Sequence, residues 1–196
     1  MSAPDRPRRL LIGACGAANV LTLPAYLTAL GAELGSGPDP RLDVAVIMTH
    51  SAARFLSPDA VRLITPTVVA PDEPPLRQNH VDWARWPDLF LVLPATAHIL
   101  AAGAHGLADG LLATTLLAYE GPVTYFPSMN PVMAAHPAVQ RNVTTLRTDG
   151  HQVIMGTPAS SYEAATGSYT QLPGMPAPSA VVEYVRRALK LDQGRP

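Results

Sequence analysis

The chain predicts a three-layer α/β fold with a doubly wound parallel sheet, and three observations carry that expectation. Short apolar runs recur at Arg9–Ala14, Leu42–Thr49, Pro66–Ala70, Asp88–Leu93, Gly121–Phe126 and His151–Met155, and Leu42–Thr49 reads as a continuous strand of the kind buried on both faces. Helical patterns separate these runs, and strands alternating with helices imply parallel pairing. Several runs end in turns of Gly, Ser, Thr, Pro or Asn, at the strand ends where open α/β sheets take their ligands.

Composition narrows the class. At 196 residues one domain is expected, spanning 1–196, with enough chain for a sizeable core. Apolar residues supply 47% and charged residues 15%, too few charges to cover a monomer, which points to surface buried against copies of the chain. With 14 basic and 15 acidic residues there is no electrostatic footprint for nucleic acid. No apolar run reaches the roughly 18 residues of a membrane span. The charged start, Met1–Arg9, leads into a Gly-punctuated strand and turn rather than a signal peptide. A single cysteine, Cys15, allows neither an intrachain disulfide nor a cysteine metal cluster, so no metal site is expected. These readings make the protein cytoplasmic.

Taken in order, Arg9–Ala14 ends in Gly13-Ala14-Cys15-Gly16-Ala17-Ala18, followed by an apolar helical segment to about Leu34. Strand, Gly-containing turn and helix suit a phosphate, because small residues admit the backbone and a helix N-terminus offers free N–H groups; packing alone also explains such glycines. The spacing lacks the full Gly-x-Gly-x-x-Gly of dinucleotide sites. The second strand ends in Thr49-His50-Ser51-Ala52-Ala53-Arg54-Phe55, where Ser51 either caps the next helix or meets an anion. Ser57–Ile64 reads as a short helix and Asp72–Pro75 as an exposed loop, which leads to Gln78-Asn79-His80-Val81-Asp82-Trp83. Asp88–Leu93 runs into Pro94-Ala95-Thr96-Ala97-His98 and then Gly106-Leu107-Ala108-Asp109-Gly110-Leu111-Leu112-Ala113-Thr114-Thr115. Pro127-Ser128-Met129-Asn130-Pro131-Val132-Met133 is a rigid turn between prolines, in which Asn130 either supports its own turn or meets a ligand. Ala138–Gly150 is an amphipathic helix and Ser179–Lys190 a closing helix. The polar, Gly-rich stretch between the last strand and that helix, 156–175, is expected to be a functional loop.

Four of these segments, in this order, resemble the signatures of the homo-oligomeric flavin-containing cysteine decarboxylases. Pro127–Met133 matches Pro-x-Met-Asn-x-x-Met, with Ala134 where the family carries Trp. Gly106–Thr115 matches Gly-x-Ala-Asp-x-Leu-x-x-Thr. Pro94–His98 departs from Pro-Ala-Ser-Ala-Asn by Thr96 for Ser and His98 for Asn. His80 precedes the fourth strand as the family's catalytic His does.

The resemblance implies a Rossmann-like flavoprotein holding FMN, with FAD in some relatives. The cofactor would sit against Gly13, Cys15, Gly16, Ala17, Thr49, Ser51, Phe55, Pro94, Ala95, Thr96, His98, Asp109, Thr114 and Met129. His80 would be the general base, and Asn130 would hold the substrate carboxylate or last amide, assisted by Met133 and, from a flap at 156–175, by Gly167 and Tyr169. Asp109 has a second, structural reading as a helix cap, and His98 a second one in proton transfer. The implied reaction is oxidative decarboxylation of a C-terminal cysteine: two electrons pass to the flavin, CO₂ leaves and an enethiol remains. No side chain here can accept a hydride, so a redox reaction requires a bound cofactor. The pantothenoyl branch of the family protonates and reduces its enethiol through a Cys on the late flap, and no Cys stands there in this chain. That favours the peptide-modifying branch, acting on a ribosomally made precursor whose product closes an aminovinyl-cysteine ring. A phosphopantothenoylcysteine decarboxylase, a flavin prenyltransferase-type protein and an inactive flavin-binding regulatory subunit are the alternatives. Family members assemble as trimers or larger multiples, so a trimer-based homo-oligomer is expected.

Overall fold

The computed structural model describes residues 6–35, 42–70, 79–156, 158–163 and 167–191, with the backbone alone for 158–163 and 169–173. Six strands form one parallel sheet: β1 (Arg8–Ala14), β2 (Leu42–Met48), β3 (Thr67–Val69), β4 (Leu89–Ala95), β5 (Val123–Pro127) and β6 (Gln152–Val153). They lie in the order β3-β2-β1-β4-β5-β6. The order reverses direction between β1 and β4, which opens a crevice at their carboxyl ends.

Alternation along each strand builds two cores. Leu10, Ile12 and Ala14 of β1 and Leu89, Leu91 and Leu93 of β4 face one helical layer. Leu11 and Cys15, with Phe90 and Val92, face the other. The first layer contains α1 (Leu23–Leu30), α2 (His50–Ala53), α3 (Pro58–Arg62) and α9 (Pro178–Ala188). The second contains α4 (His80–Arg85), α5 (Ala97–His105), α6 (Leu111–Ala118) and α8 (Pro137–Thr148). The helices dock by the spacing a helical stripe requires: Leu23, Tyr26, Leu27 and Leu30 in α1, and Val139, Val143 and Leu146 in α8. Burial of both faces is why the strands read as apolar runs.

The segment after β1 differs in detail from one continuous helix. It opens as a 3-10 turn over Ala18–Thr22, continues as α1 and ends in a π turn over Gly31–Gly35. The stretch 156–175, expected as a loop, contains an antiparallel hairpin of β7 (Pro158–Glu163) and β8 (Ser168–Pro173). Gly167 turns it with a φ of 63°, a left-handed conformation that glycine adopts without strain. The hairpin's neck is tight, because a side chain on Gly156 would collide with the Gly174 carbonyl.

Polar ties secure the sheet at its centre and towards its β6 edge. Asp88 accepts bonds from the Arg9 N–H at 2.8 Å and from Arg6, joining the starts of β1 and β4. Burial opposes its ionisation, but these donors prevail and hold the carboxyl below its usual range. Buried Thr124 of β5 hydrogen-bonds Tyr184 of α9 at 2.6 Å, and Tyr184 reaches Gln152 of β6. His151 caps the same edge, its Nδ1 accepting from the Val123 N–H at 3.1 Å.

That last bond requires an unprotonated Nδ1, and burial lowers the proton affinity of His151, with Asp149 opposing. Its folded-state pKa therefore lies below the unfolded value of about 6.5. The stabilisation is complete above that value and is lost as pH falls through it towards the folded pKa. Urea unfolding followed from about pH 7.5 down to about pH 5 should show stability declining below about 6.5, with a shallower decline in His151→Gln. Parallel curves for the two proteins would remove His151 from the account.

Candidate functional site

The carboxyl ends of β1, β2, β4 and β5 bring together the turns singled out in the sequence. The Thr49 N–H donates to the Ala14 carbonyl at 3.0 Å, Cys15 N–H to Pro94 at 3.2 Å, and Ser128 N–H to Ala95 at 2.8 Å. These bonds lock the four turns side by side. The Leu93–Pro94 peptide at the end of β4 is cis.

The glycines of the first turn are there for close approach. A Cβ on Gly16 would lie 2.4 Å from the Ser51 Cβ and 2.8 Å from its carbonyl carbon, so the β1 and β2 turns touch through this residue. A Cβ on Gly13 would lie 2.4 Å from Leu112 Cδ1, so Gly13 admits α6 to the sheet. Ala17 caps the 3-10 turn by its backbone and is half-buried. Cys15 is buried and its thiol is pushed up to about 12 by desolvation, against opposing bonds from Thr96.

Beyond β2 the cap is Thr49, whose Oγ1 accepts from the Ala52 N–H at 3.2 Å. Ser51 is therefore not the cap; it is exposed at the second position of α2, with its hydroxyl unengaged among the described residues. Phe55 is 51% exposed. Beyond β4, Ala95 is fully buried and Thr96 caps α5, accepting from Ile99 N–H at 3.4 Å. Asp109 caps nothing: Gly110 is the residue before α6, and Asp109 Oδ2 instead meets His98 Nε2 at 2.7 Å. The Thr114 hydroxyl donates to the Gly110 carbonyl at 2.8 Å, so it serves its own helix.

A cleft of about 380 Å³ lies among these elements. Thr49, His50 and Ser51 line one side, His98 and Asp109 the other, with apolar walls that include Met48, Val69 and Leu111. Its size falls in the range of cofactor sites, roughly 300–1,000 Å³. The first N–H groups of α2 and α5 have no partner within their helices and suit an anion. Apolar walls for a ring and N–H groups for a phosphate together fit a flavin mononucleotide.

Asn130, Met129 and Met133 stand at the neighbouring β5 end. Asn130 is exposed and caps α7 (Pro131–Ala135), its Oδ1 accepting from Met133 N–H at 2.8 Å. Both readings of this residue are thereby compatible, since the carbonyl serves the turn while the amide N–H₂ has no partner among the described residues. Met129 is half-buried against the second core and Met133 is 44% exposed. His80 opens α4 and is half-buried. Within one chain the cleft lining includes neither His80 nor Asn130. Gly167 is exposed, and the side chain of Tyr169 lies outside the described residues.

Two features escaped the sequence reading. Asn19 Nδ2 donates to Ser128 Oγ at 3.1 Å, a bond across the β1 and β5 turns that no local pattern announces. The helix beginning at His80 did have a signal: Asn79 accepts from Asp82 N–H and Asp82 accepts from Asn79 N–H, a reciprocal cap visible as Asn-x-x-Asp.

Gly16→Ala should force the β1 and β2 turns apart. We expect a loss of about 1–3 kcal/mol in unfolding free energy, as for other overpacked sites, together with weakened flavin retention. Unchanged stability and flavin content would show that the contact yields cheaply.

The family model described as Flavoprotein matches residues 1–190. Mersacidin decarboxylase of Bacillus sp. (strain HIL-Y85/54728) is 31% identical over 186 residues, covering 94% of this chain and 92% of that protein. The coenzyme A biosynthesis bifunctional protein CoaBC of Bacillus subtilis (strain 168) is 44% identical over 116 residues, which is 57% of this chain but only 29% of the relative. Among solved structures, an EpiD variant complexed with the substrate peptide DSYTC superposes with a TM-score of 0.79 at 26% identity, covering 94% of this chain and 99% of the other. The FMN-dependent cysteine decarboxylase SpaF superposes with a TM-score of 0.71 at 31% identity, covering 92% and 97%. The chain therefore belongs to the flavoprotein family, among its flavin-dependent cysteine decarboxylases.

Proposed function

We propose that this protein uses FMN to decarboxylate oxidatively the C-terminal cysteine of a ribosomally synthesised precursor peptide, leaving an enethiol for aminovinyl-cysteine ring formation. The observation that carries this reading is similarity over nearly the whole length of two proteins. One is named for mersacidin, and the other is an EpiD variant complexed with a substrate peptide ending in Cys. FMN follows from the FMN dependence of SpaF and from the fit of the cleft. FMN would lie against the turns after β1, β2 and β4, with Thr49, Ser51 and His98 nearest, and it supplies the two-electron acceptor that no side chain can.

The chain's own residues bind, orient and move protons. Asn130 donates from its free Nδ2 to the carboxylate or last amide of the peptide, with its orientation fixed by the bond to Met133 N–H. A neutral amide suits a carboxylate that must shed its charge as CO₂ departs, because a cation would stabilise the ground state. His80, held at the start of α4 by the Asn79–Asp82 cap, takes a proton from the substrate. The hairpin β7–β8 covers the peptide's end.

Phosphopantothenoylcysteine is the competing substrate, favoured by the 44% identity to CoaBC. Against it stands the lone cysteine, Cys15, which is buried in the first turn; 156–175 contains none. Incubation of the flavin-loaded protein with peptides ending in Cys should remove about 46 Da, CO₂ plus two hydrogens, and His80→Ala should abolish that loss. Conversion of phosphopantothenoylcysteine with no change in any such peptide would assign the other substrate. Flavin binding with neither conversion would mark a regulatory subunit.

A trimer-based assembly accompanies this reading. His80 and Asn130 stand outside the cleft of their own chain, and Leu63, Val132, Leu117 and Phe55 are 89%, 79%, 60% and 51% exposed. Neighbouring copies would cover that apolar surface and complete each site. Mixing His80→Ala with Asn130→Ala subunits should restore part of the activity that each lacks. With subunit exchange verified, no recovery would place both residues in one chain's site.

A further inference from the structure

We propose that His98 is a proton-gated hydrogen-bond donor to the bound flavin and that Asp109 is the residue that positions it. The proposal rests on the flavin-dependent reading above. His98 is the second residue of α5, and Asp109 stands two residues ahead of α6. Gly106, at φ 66°, ends α5 in the left-handed conformation and turns the chain back, so the two side chains meet in the cleft at 2.7 Å. They are 66% and 51% exposed, open to a ligand rather than sealed in the core.

The pairing decides what His98 can offer. An ionised carboxylate only accepts, so Nε2 carries a hydrogen towards Asp109 and Nδ1 is the nitrogen left for a ligand. Nδ1 has no partner among the described residues. When the ring is neutral, Nδ1 is an acceptor; when it is protonated, Nδ1–H is a donor with positive charge behind it. The Asn that the family signature carries at this position offers a donor and an acceptor together at any pH. His98 offers one at a time.

A flavin's phosphate and carbonyl oxygens are acceptors, as are two of its four ring nitrogens, so the protonated form of His98 is the binding form. Uptake of flavin then brings uptake of a proton, and affinity rises as pH falls through the range in which histidine gains charge. No bond is made or broken in this step and no electron moves. Among the described residues the titratable side chains that face the cleft are His98, Asp109 and, from the first turn of α2, His50, the one other imidazole, which the test below separates from His98. The walls contributed by β2, β3 and α6 bring no charge, as Met48, Val69 and Leu111 illustrate.

The test is FMN titration into apoprotein, read by flavin fluorescence at about pH 6 and about pH 8, for the unsubstituted protein, His98→Asn, Asp109→Asn and His50→Gln. The phosphate of FMN has its own ionisation near about pH 6, but this is common to all four proteins and cancels in comparing their ratios. We expect Kd to rise at least about five-fold with pH in the unsubstituted protein, the scale of one hydrogen bond to a charged group. The rise should shrink below about two-fold in His98→Asn, shrink similarly in Asp109→Asn, and persist in His50→Gln. Because both members of the pair are exposed, neither substitution leaves a cavity. The same rise in His98→Asn as in the unsubstituted protein overturns the proposal, as does its loss in His50→Gln. Saturable but pH-indifferent FMN binding sinks the gating role and leaves the decarboxylase reading standing. A clear gate in a protein that alters no cysteine peptide does the reverse, and no flavin uptake at all overturns both.

Discussion

The pairing of β1 with β4 governs the rest of the molecule. These strands are neighbours in space although β2 and β3 intervene in the chain, and from them the sheet grows outward in both directions. Helices that follow β1 and β4 therefore depart to opposite faces, α1 to one core and α5 to the other. A crevice between diverging helices is unavoidable at that point. The backbone bonds from Cys15 to Pro94 and from Thr49 to Ala14 narrow it to a defined mouth. The cleft lies beside this reversal, lined from the ends of β2 and β3 and from α2, α5 and α6.

Close approach at the mouth explains residue choices that otherwise look like generic loop composition. Gly16 contributes by lacking a Cβ where Ser51 stands, and Gly13 by lacking one where Leu112 stands. Each absence draws another element inward, so that α2 and α6 form walls of the same cleft. The Asn19–Ser128 bond does comparable work on the other side, tying the β1 turn to the turn that presents Asn130. Small residues set the distance and one polar bond sets the angle.

The sheet was legible in the sequence because strands buried on both faces can hold few polar residues, and five of the six apolar runs stand out for that reason; β6, with Gln152 exposed, is the weakest. Turn chemistry was legible where a motif packs several constraints together, as in Pro127–Met133. What escaped was pairing across distance. His98 and Asp109 meet only because Gly106 reverses the chain between α5 and α6, and nothing in either residue's neighbours states that reversal's angle. Ser51 reads from the sequence as either a helix cap or an anion contact, and only the backbone shows that Thr49 holds the non-helical capping position. The hairpin β7–β8 was hidden by its polarity, because strands such as Pro158–Glu163 lack the apolar alternation that marks a half-buried pair.

The lone cysteine raises a chemical problem that burial resolves. A protein that handles the thiol of a substrate beside an oxidising cofactor gains nothing from a second reactive thiol at the same turn. The thiolate is the reactive form of cysteine. Desolvation pushes the Cys15 thiol up to about 12, so the thiol form prevails near neutral pH. Its side chain packs with Val92 and Ile99 in the second core, so the turn keeps a small apolar filler and no competing nucleophile. The same burial denies Cys15 any part as a proton donor to a ligand at this mouth.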